Sequence, residues 1–312
     1  MTSSGTATPD ALEATPSRRV ARHVLGPALP YVLHLRPAEW PIVAAHASLG
    51  WFLARGVAVP DATMLLGVGV WVVALNGGTL ALNSAFDRDE GDVAYLRNPP
   101  APPTALAWFA VMLMAAGAAL TWNLPAGYRI AYGICVALSV AYSVPPLRLK
   151  AVAGADWVIN MIGFGTLTPF AGWAITGMSL QAGDALVLVA FCPLFAALYP
   201  LTQLYQMDED RARGDRTLAL RLGPHRSLVV AVACATVAFV TLAVAAVLTR
   251  WPDRDLHRWG ALFLAALAWA VVLVPWAREA RVWSTAEHQR GMYHALAAWA
   301  ITDAAIIVAW CL

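Results

Sequence analysis

Residues 62–86 read ATMLLGVGVWVVALNGGTLALNSAF, twenty-five positions without a charge, and run straight into Asp87-Arg88-Asp89-Glu90-Gly91-Asp92. A helix of that length and character crosses the hydrocarbon core of a bilayer, which needs about 20 apolar residues. Eight further stretches qualify: 38–56, 104–123, 125–144, 155–177, 184–207, 226–249, 258–277 and 291–311. The composition agrees. Of 312 residues, 60% are hydrophobic and 13% charged, with a mean hydropathy of +0.61; a soluble domain carries about a quarter charged residues. Cys135, Cys192, Cys234 and Cys311 each lie inside an apolar run, which leaves neither a disulfide framework nor a CxxC metal knuckle. A net charge of +2 offers no basic field for nucleic acid. A soluble enzyme, a secreted disulfide scaffold and a disordered chain are excluded. The expected fold is an all-α integral membrane protein with nine transmembrane helices.

The Ser-, Thr-, Pro- and Ala-rich N-terminus predicts a disordered tail over 1–24, followed by a single transmembrane domain over 25–312. Pro27, Pro30 and Pro37 interrupt the apolar run after Arg18, Arg19 and Arg22, so it is not a signal peptide and suits a short amphipathic helix on the membrane surface. With nine spans, the N-terminus and the even-numbered loops share one face. That face holds 16 of the 21 basic residues, and only Arg55, Arg129, Arg250, Arg254 and Arg258 lie on the other. The positive-inside rule therefore predicts a multi-pass protein of the cell membrane whose N-terminus and even-numbered loops are cytoplasmic.

Eight of the 19 acids fall in two clusters, Asp87/Asp89/Glu90/Asp92 and Asp208/Glu209/Asp210/Asp215. Each follows an even-numbered span, and the echo of Phe86-Asp87-Arg88-Asp89 in Met207-Asp208-Glu209-Asp210 suggests a duplicated unit whose clusters face each other. Polar groups lead up to both. Asn76, Asn83 and Asp87 recur at i, i+7, i+11, and Tyr199, Gln203, Gln206 and Asp210 at i, i+4, i+7, i+11, each set on one helix face. Such groups inside a bilayer face a cavity or one another, because lipid cannot solvate them. Carboxylates without His or Cys partners suit a hard cation, Mg²⁺ above all, which keeps waters and completes its shell with phosphate oxygens. A diphosphate bridged by Mg²⁺, its hydrocarbon tail between the helices, is the ligand this pattern fits. Arg88, Arg148, Lys150 and Arg211 stand close enough in sequence to take the remaining phosphate charge.

At these residues the chain resembles the UbiA superfamily of intramembrane prenyltransferases. The family's first motif, Asn-Asp-x-x-Asp-x-x-x-Asp, is similar to the stretch Asn83 to Asp92. Asn83 and Asp87 match, Ser84 replaces the second Asp, and Asp92 falls one residue late, leaving Asp89 or Asp92 for the final role. The second motif, Asp-x-x-x-Asp-Arg-x-x-Gly-x-x-Thr-Leu, resembles Gln206 to Leu218, where Asp210, Arg211, Gly214, Thr217 and Leu218 match and Gln206 stands in for the first Asp. Tyr142-Ser143-Val144-Pro145-Pro146-Leu147-Arg148-Leu149-Lys150 resembles the family's Tyr-Ser-x-Pro-Pro-x-Arg-x-Lys loop. The resemblance covers the chain from about Arg36 onward. It implies nine helices in a bundle around a central lipid-open cavity under cytoplasmic cap loops. It implies Mg²⁺-dependent transfer of a prenyl group from an allylic prenyl diphosphate to a lipophilic, aromatic acceptor. Asn83, Asp87, Asp92, Asp208 and Asp210 are the expected metal ligands; Asn83, Arg88, Arg148, Lys150 and Arg211 the diphosphate ligands. Asp87, Asp210, Tyr142, Arg148 and Lys150 are the expected catalytic set, with Tyr142, Tyr199 and Tyr205 as aromatic neighbours of the allylic cation.

Asn76, Tyr199, Gln203, Gln206, Asp156 and Asn160 are expected along the cavity. Asp156 has a second reading as a helix-start acid, Asp303 as either a buried pairing residue or an acceptor contact, and His46 as a structural imidazole. The partners implied are a prenyl diphosphate, a hydrophobic acceptor and membrane lipid, with no nucleic acid. A membrane terpene cyclase of the same fold, which ionises the diphosphate and cyclises it without an acceptor, is the alternative activity. A cation transporter would need an acidic path to the far face, and both clusters sit on one face.

Overall fold

A computed structural model describes residues 16–87, 96, 98–251 and 255–312, and every regular element among them is helical. In chain order these are α1 (Pro16–Leu25), α2 (Leu29–His34), α3 (Trp40–Arg55), α4 (Ala62–Asp87), α5 (Leu106–Leu120), α6 (Ala126–Ser143), α7 (Ala155–Ile175) and α8 (Ala182–Leu204). The short α9 (Met207–Arg213), then α10 (Leu218–Leu248), α11 (Leu256–Glu279) and α12 (Thr285–Cys311) complete the fold. Local chemistry starts and stops them. Asp61 caps α4 by accepting from the Met64 N–H at 2.7 Å, Ser284 and Glu287 form a capping box at the start of α12, and Gly56 at φ 70° ends α3. Within Leu218–Leu248, Gly223 at φ 75° and Pro224 break the helix, so the straight part begins near the expected start of that span.

Six of these helices, α4, α7, α8, α10, α11 and α12, are long and apolar enough to cross a membrane. The other three expected spans fall on lesser helices. At 1.5 Å per residue, α3 with 16 residues and α5 with 15 reach only about 23 Å of a core about 30 Å thick. The third, α6, is diluted by Tyr128, Arg129, Tyr132, Ser139, Tyr142 and Ser143. Of the tail expected over 1–24, residues 1–15 lie outside the described residues and residues 16–24 belong to α1. That helix combines Arg18 and Arg22 with exposed Val20 and Val24, an amphipathic composition that a featureless tail would not have.

The interior divides into two apolar clusters. One joins α3 to α4, α5, α6 and the C-terminal half of α7; the other joins α8, α10, α11 and α12. Large apolar side chains such as Trp108, Met112, Val237, Val240, Phe263 and Val271 point outward, an arrangement that water would penalise and lipid accepts. Three helices contain π-helical turns, at Trp71–Gly77 in α4, Met161–Leu167 in α7 and Ile307–Cys311 in α12. Each widens its helix locally.

The first of these clusters is riveted where α3 crosses the C-terminal half of α7. Gly50 and Gly172 lie so close to the opposing backbone that a Cβ on Gly50 would collide with the Pro169 carbonyl oxygen, and one on Gly172 with that of Ala47. Small residues allow such contact between membrane helices. Gly50→Ala or Gly172→Ala should therefore lower the thermal unfolding midpoint in detergent by several degrees, since overpacking costs about 1–3 kcal/mol. Gly69→Ala, which meets open space, should leave the midpoint unchanged.

Candidate active site

A cavity of about 360 Å³ opens where α4, α6, α7, α8 and α12 converge. Its α4 wall carries Asn76, Thr79, Asn83 and Asp87, so the face expected from the spacing is one face in the fold. Tyr199, Gln203, Tyr205 and Gln206 come from α8 and the following turn and Glu209 and Asp210 from α9, with Arg36, Glu39, Tyr142, Lys150, Asn160, Asp215 and Thr217 also in the polar lining.

The mouth is built by two loops. Val152 and Arg216 form a parallel bridge that ties the segment after α6 to the segment after α9. Arg148 adopts φ 36° there, in the left-handed region that an arginine rarely occupies, and its guanidinium reaches both acid clusters. It lies 3.7 Å from Asp87 and donates to Asp215 at 3.2 Å, while the Lys150 ammonium pairs with Asp87. Asp87 and Asp215, one from each cluster, thus face each other across Arg148. Gly214 at φ 76° ends α9 in the left-handed conformation and turns the chain back, so that the Asp215 N–H donates to the Asp210 carbonyl at 3.0 Å. Asp210 is 4% exposed and accepts from the Thr217 hydroxyl at 3.3 Å. Nearby, His34 on α2 contacts the Pro100 carbonyl at 3.1 Å; its pKa is lowered mainly by burial, so it adds no cation at neutral pH.

Not every expected residue joins this group. Arg88 and Asp92, with Asp89 and Glu90, lie outside the described residues. Asp208 and Arg211 pair with each other at 2.8 Å on the outer surface of α9, their side chains 86% and 63% exposed, and neither lines the cavity. The buried acid that the loops supply is Asp215, which the motif reading did not select. Its signal was the Gly four residues after Asp210, which permits the turn. Asp156 is also displaced from the cavity wall. Its carboxylate accepts from the Gly154 N–H and the Gln203 amide, both at 2.8 Å, and Gln203 in turn accepts from the Ala219 N–H at 3.1 Å. That chain ties the starts of α7 and α10 to the end of α8, which makes Asp156 the helix-start acid of its second reading. Asn160 donates to the Asp156 carbonyl at 2.9 Å, and Tyr142 and Tyr199 meet hydroxyl to hydroxyl at 3.0 Å. Asp303 finds His46 at 3.2 Å, a fully buried imidazole enclosed by Phe164, Phe191 and Trp299, so it is the pairing residue.

Among the described residues no three His, Cys, Asp or Glu side chains stand grouped as a metal cage. Buried Asp87, Asp210 and Asp215 nevertheless offer hard oxygen donors beside two cations. Mg²⁺ is commonly held by one or two carboxylates, its shell completed by water and phosphate oxygens, and the donor set fits that requirement.

Residues 40–297 match the family model described as the UbiA prenyltransferase family. A digeranylgeranylglyceryl phosphate synthase of Natronomonas pharaonis is 33% identical over 214 residues, covering 66% of this chain and 74% of the relative. UbiA prenyltransferase domain-containing protein 1 of Homo sapiens is 27% identical over 232 residues, 62% of this chain and 61% of the human protein, so the match spans less than two thirds of that relative. The fold superposes on that of a UbiA homolog from Archaeoglobus fulgidus bound to GPP and Mg²⁺ with a TM-score of 0.64, covering 89% of this chain and 99% of that one at 17% identity.

The placement of the acids makes a prediction. Asp215→Asn should weaken Mg²⁺-dependent binding of inorganic diphosphate, read by titration calorimetry, about tenfold or more, as loss of a charged hydrogen-bonding group does. Asp208→Asn should change it less than about twofold, because exposed ion pairs contribute little.

Proposed function

This chain belongs to the UbiA prenyltransferase family, and from that premise we propose that it transfers a prenyl group from an allylic prenyl diphosphate to a lipophilic, aromatic acceptor, with Mg²⁺ and release of diphosphate. The observation that carries the proposal is the mouth in which Arg148 bridges Asp87 and Asp215 while Lys150 pairs with Asp87. Asp87, Asp210 and Asp215, with Asn83 beside them, would hold Mg²⁺, which when bound supplies a positive charge against the diphosphate oxygens. The activity named for the Natronomonas relative supports prenyl transfer to a lipophilic acceptor, and the ligands named for the Archaeoglobus homolog support a prenyl diphosphate donor with Mg²⁺. The expected orientation, with this mouth and the N-terminus on the cytoplasmic side, would give soluble diphosphate access to it.

The residues of the chain account for the chemistry. Lys150, its side chain 10% exposed, and Arg148 already stand against carboxylates at the mouth, so they can turn from carboxylate to the leaving group with little reorganisation. The allylic C–O bond breaks with its electron pair going to diphosphate, the acceptor's nucleophile forms the new bond to that carbon, and the acceptor's proton leaves to solvent at the mouth. Tyr142 and Tyr199 sit beneath the mouth, and aromatic faces stabilise a passing carbocation while excluding water. The rings of Phe164, Phe195 and Trp299, at centroid separations of 4.8–5.9 Å, continue this surface deeper. That continuous aromatic wall is also what the alternative, cyclisation of the same cation without an acceptor, would use.

Purified protein given geranyl, farnesyl or geranylgeranyl diphosphate with Mg²⁺ should release little diphosphate until an acceptor is added. Release with a cyclic hydrocarbon product and no acceptor would instead establish the cyclase. Asp87→Ala and Asp210→Ala should each abolish release while the protein remains folded by its elution profile in detergent. EDTA should stop turnover of the wild type, and added Mg²⁺ should restore it.

A further inference from the structure

Below the mouth the cavity has two chemically different walls. The side made by α7, α8 and α12 is apolar and aromatic, with Phe164, Phe195, Leu198, Leu296 and Trp299. The side made by α4 and α6 sets polar groups among Trp71, Leu75 and Leu138. Thr79 and Ser139 exchange a hydrogen bond at 2.6 Å, and Ser139 also donates to the Cys135 carbonyl at 2.8 Å. One turn deeper, Asn76 lines the same cavity, and its amide nitrogen is buried without a hydrogen-bond partner.

Asn76 lies eleven residues before Asp87, which is about 16 Å along a helix at 1.5 Å per residue. A diphosphate held at the mouth does not reach it, so the motif chemistry does not explain it. A prenyl chain does not explain it either, since hydrocarbon can satisfy no amide. An unmet amide N–H in a low-dielectric interior costs about 1–3 kcal/mol, and the π-helical turn Trp71–Gly77 contains this residue, a distortion that often marks a functional position.

We propose that Asn76, Thr79 and Ser139 form a subsite for an oxygen-bearing head of the acceptor, a hydroxyl or carbonyl group, with the Asn76 amide donating to an oxygen remote from the reacting centre. The aromatic wall takes the prenyl chain. This assignment rests on the transferase reading and deepens it, because a polar wall serves an acceptor with oxygens to recognise and serves cyclisation of a hydrocarbon cation not at all.

The test uses geranylgeranyl diphosphate as donor and two probe acceptors, a dihydroxynaphthoate and geranylgeranylglyceryl phosphate, with KM measured separately for donor and acceptor. Asn76→Leu should raise the KM for whichever probe the wild type uses by about tenfold, the effect of one lost hydrogen bond at a buried site, with the donor KM within about twofold. Thr79→Val, which keeps the shape and removes only the hydroxyl, should do the same to a smaller degree and guards against misfolding of the first variant. Asn76→Gln should recover part of the loss. Unchanged acceptor KM in both variants, or a change confined to the donor, overturns the subsite while leaving the transferase standing. Wild type that releases diphosphate but transfers to neither probe nor to any phenolic or quinol acceptor overturns the transferase and the subsite together.

Discussion

Carboxylates at the edge of a hydrocarbon layer remain charged only if cations meet them there, because neither lipid nor the packed helices can replace the lost water. Asp87 and Asp215 meet that condition through Arg148 and Lys150, and much of the chain exists to bring those four side chains together. The Val152–Arg216 bridge, the left-handed Arg148 and the turn at Gly214 all act on the same few ångströms. Removing one member leaves an uncompensated buried charge, so the cluster is a latch between the two halves of the bundle as well as the proposed chemical centre. Arg148 touches one acid from each half.

The polar face of α4 was legible in the sequence because helical periodicity is a strong signal in an otherwise uncharged run. The set from Tyr199 to Asp210 reads as one helix face in sequence but is divided between α8, a turn at Gln206 and α9, though it lines the same cavity. Asn76, Asn83 and Asp87 share the cavity wall as their spacing requires. What the sequence concealed has identifiable causes. Asp208 and Asp215 are equally acidic neighbours of Asp210, and only the backbone reversal at Gly214 decides which one is buried. Asp156 looked like a cavity residue by helical position, but its partner Gln203 comes from another helix, 47 positions away. His46 and Asp303 are 257 positions apart and bear no motif. Of the nine expected spans, six lie on helices long and apolar enough to cross a membrane among the described residues, and the other three lie on the shorter or more polar α3, α5 and α6.

The site also shows why its cations are not interchangeable with others nearby. Arg211 is adjacent to Asp210 in sequence and carries the same charge as Arg148, but it points to the surface, where water screens it. Arg148 and Lys150 work in a partly dried mouth, where the same charge exerts a stronger field. Sequence proximity to an acid is therefore a weaker guide to role than the side of the helix on which the cation lies.

The crossing of α3 and α7 has a mechanical consequence. Where Gly50 meets Pro169 and Gly172 meets Ala47, backbone rests on backbone, with no side-chain rotamers between them to yield. That seam is stiff. The compliance of the bundle resides instead in seams filled by long, jointed side chains, such as that bearing Met292 and Leu296 on α12. Any widening of the cavity therefore falls on seams of that kind, with the glycine crossing as the fixed edge.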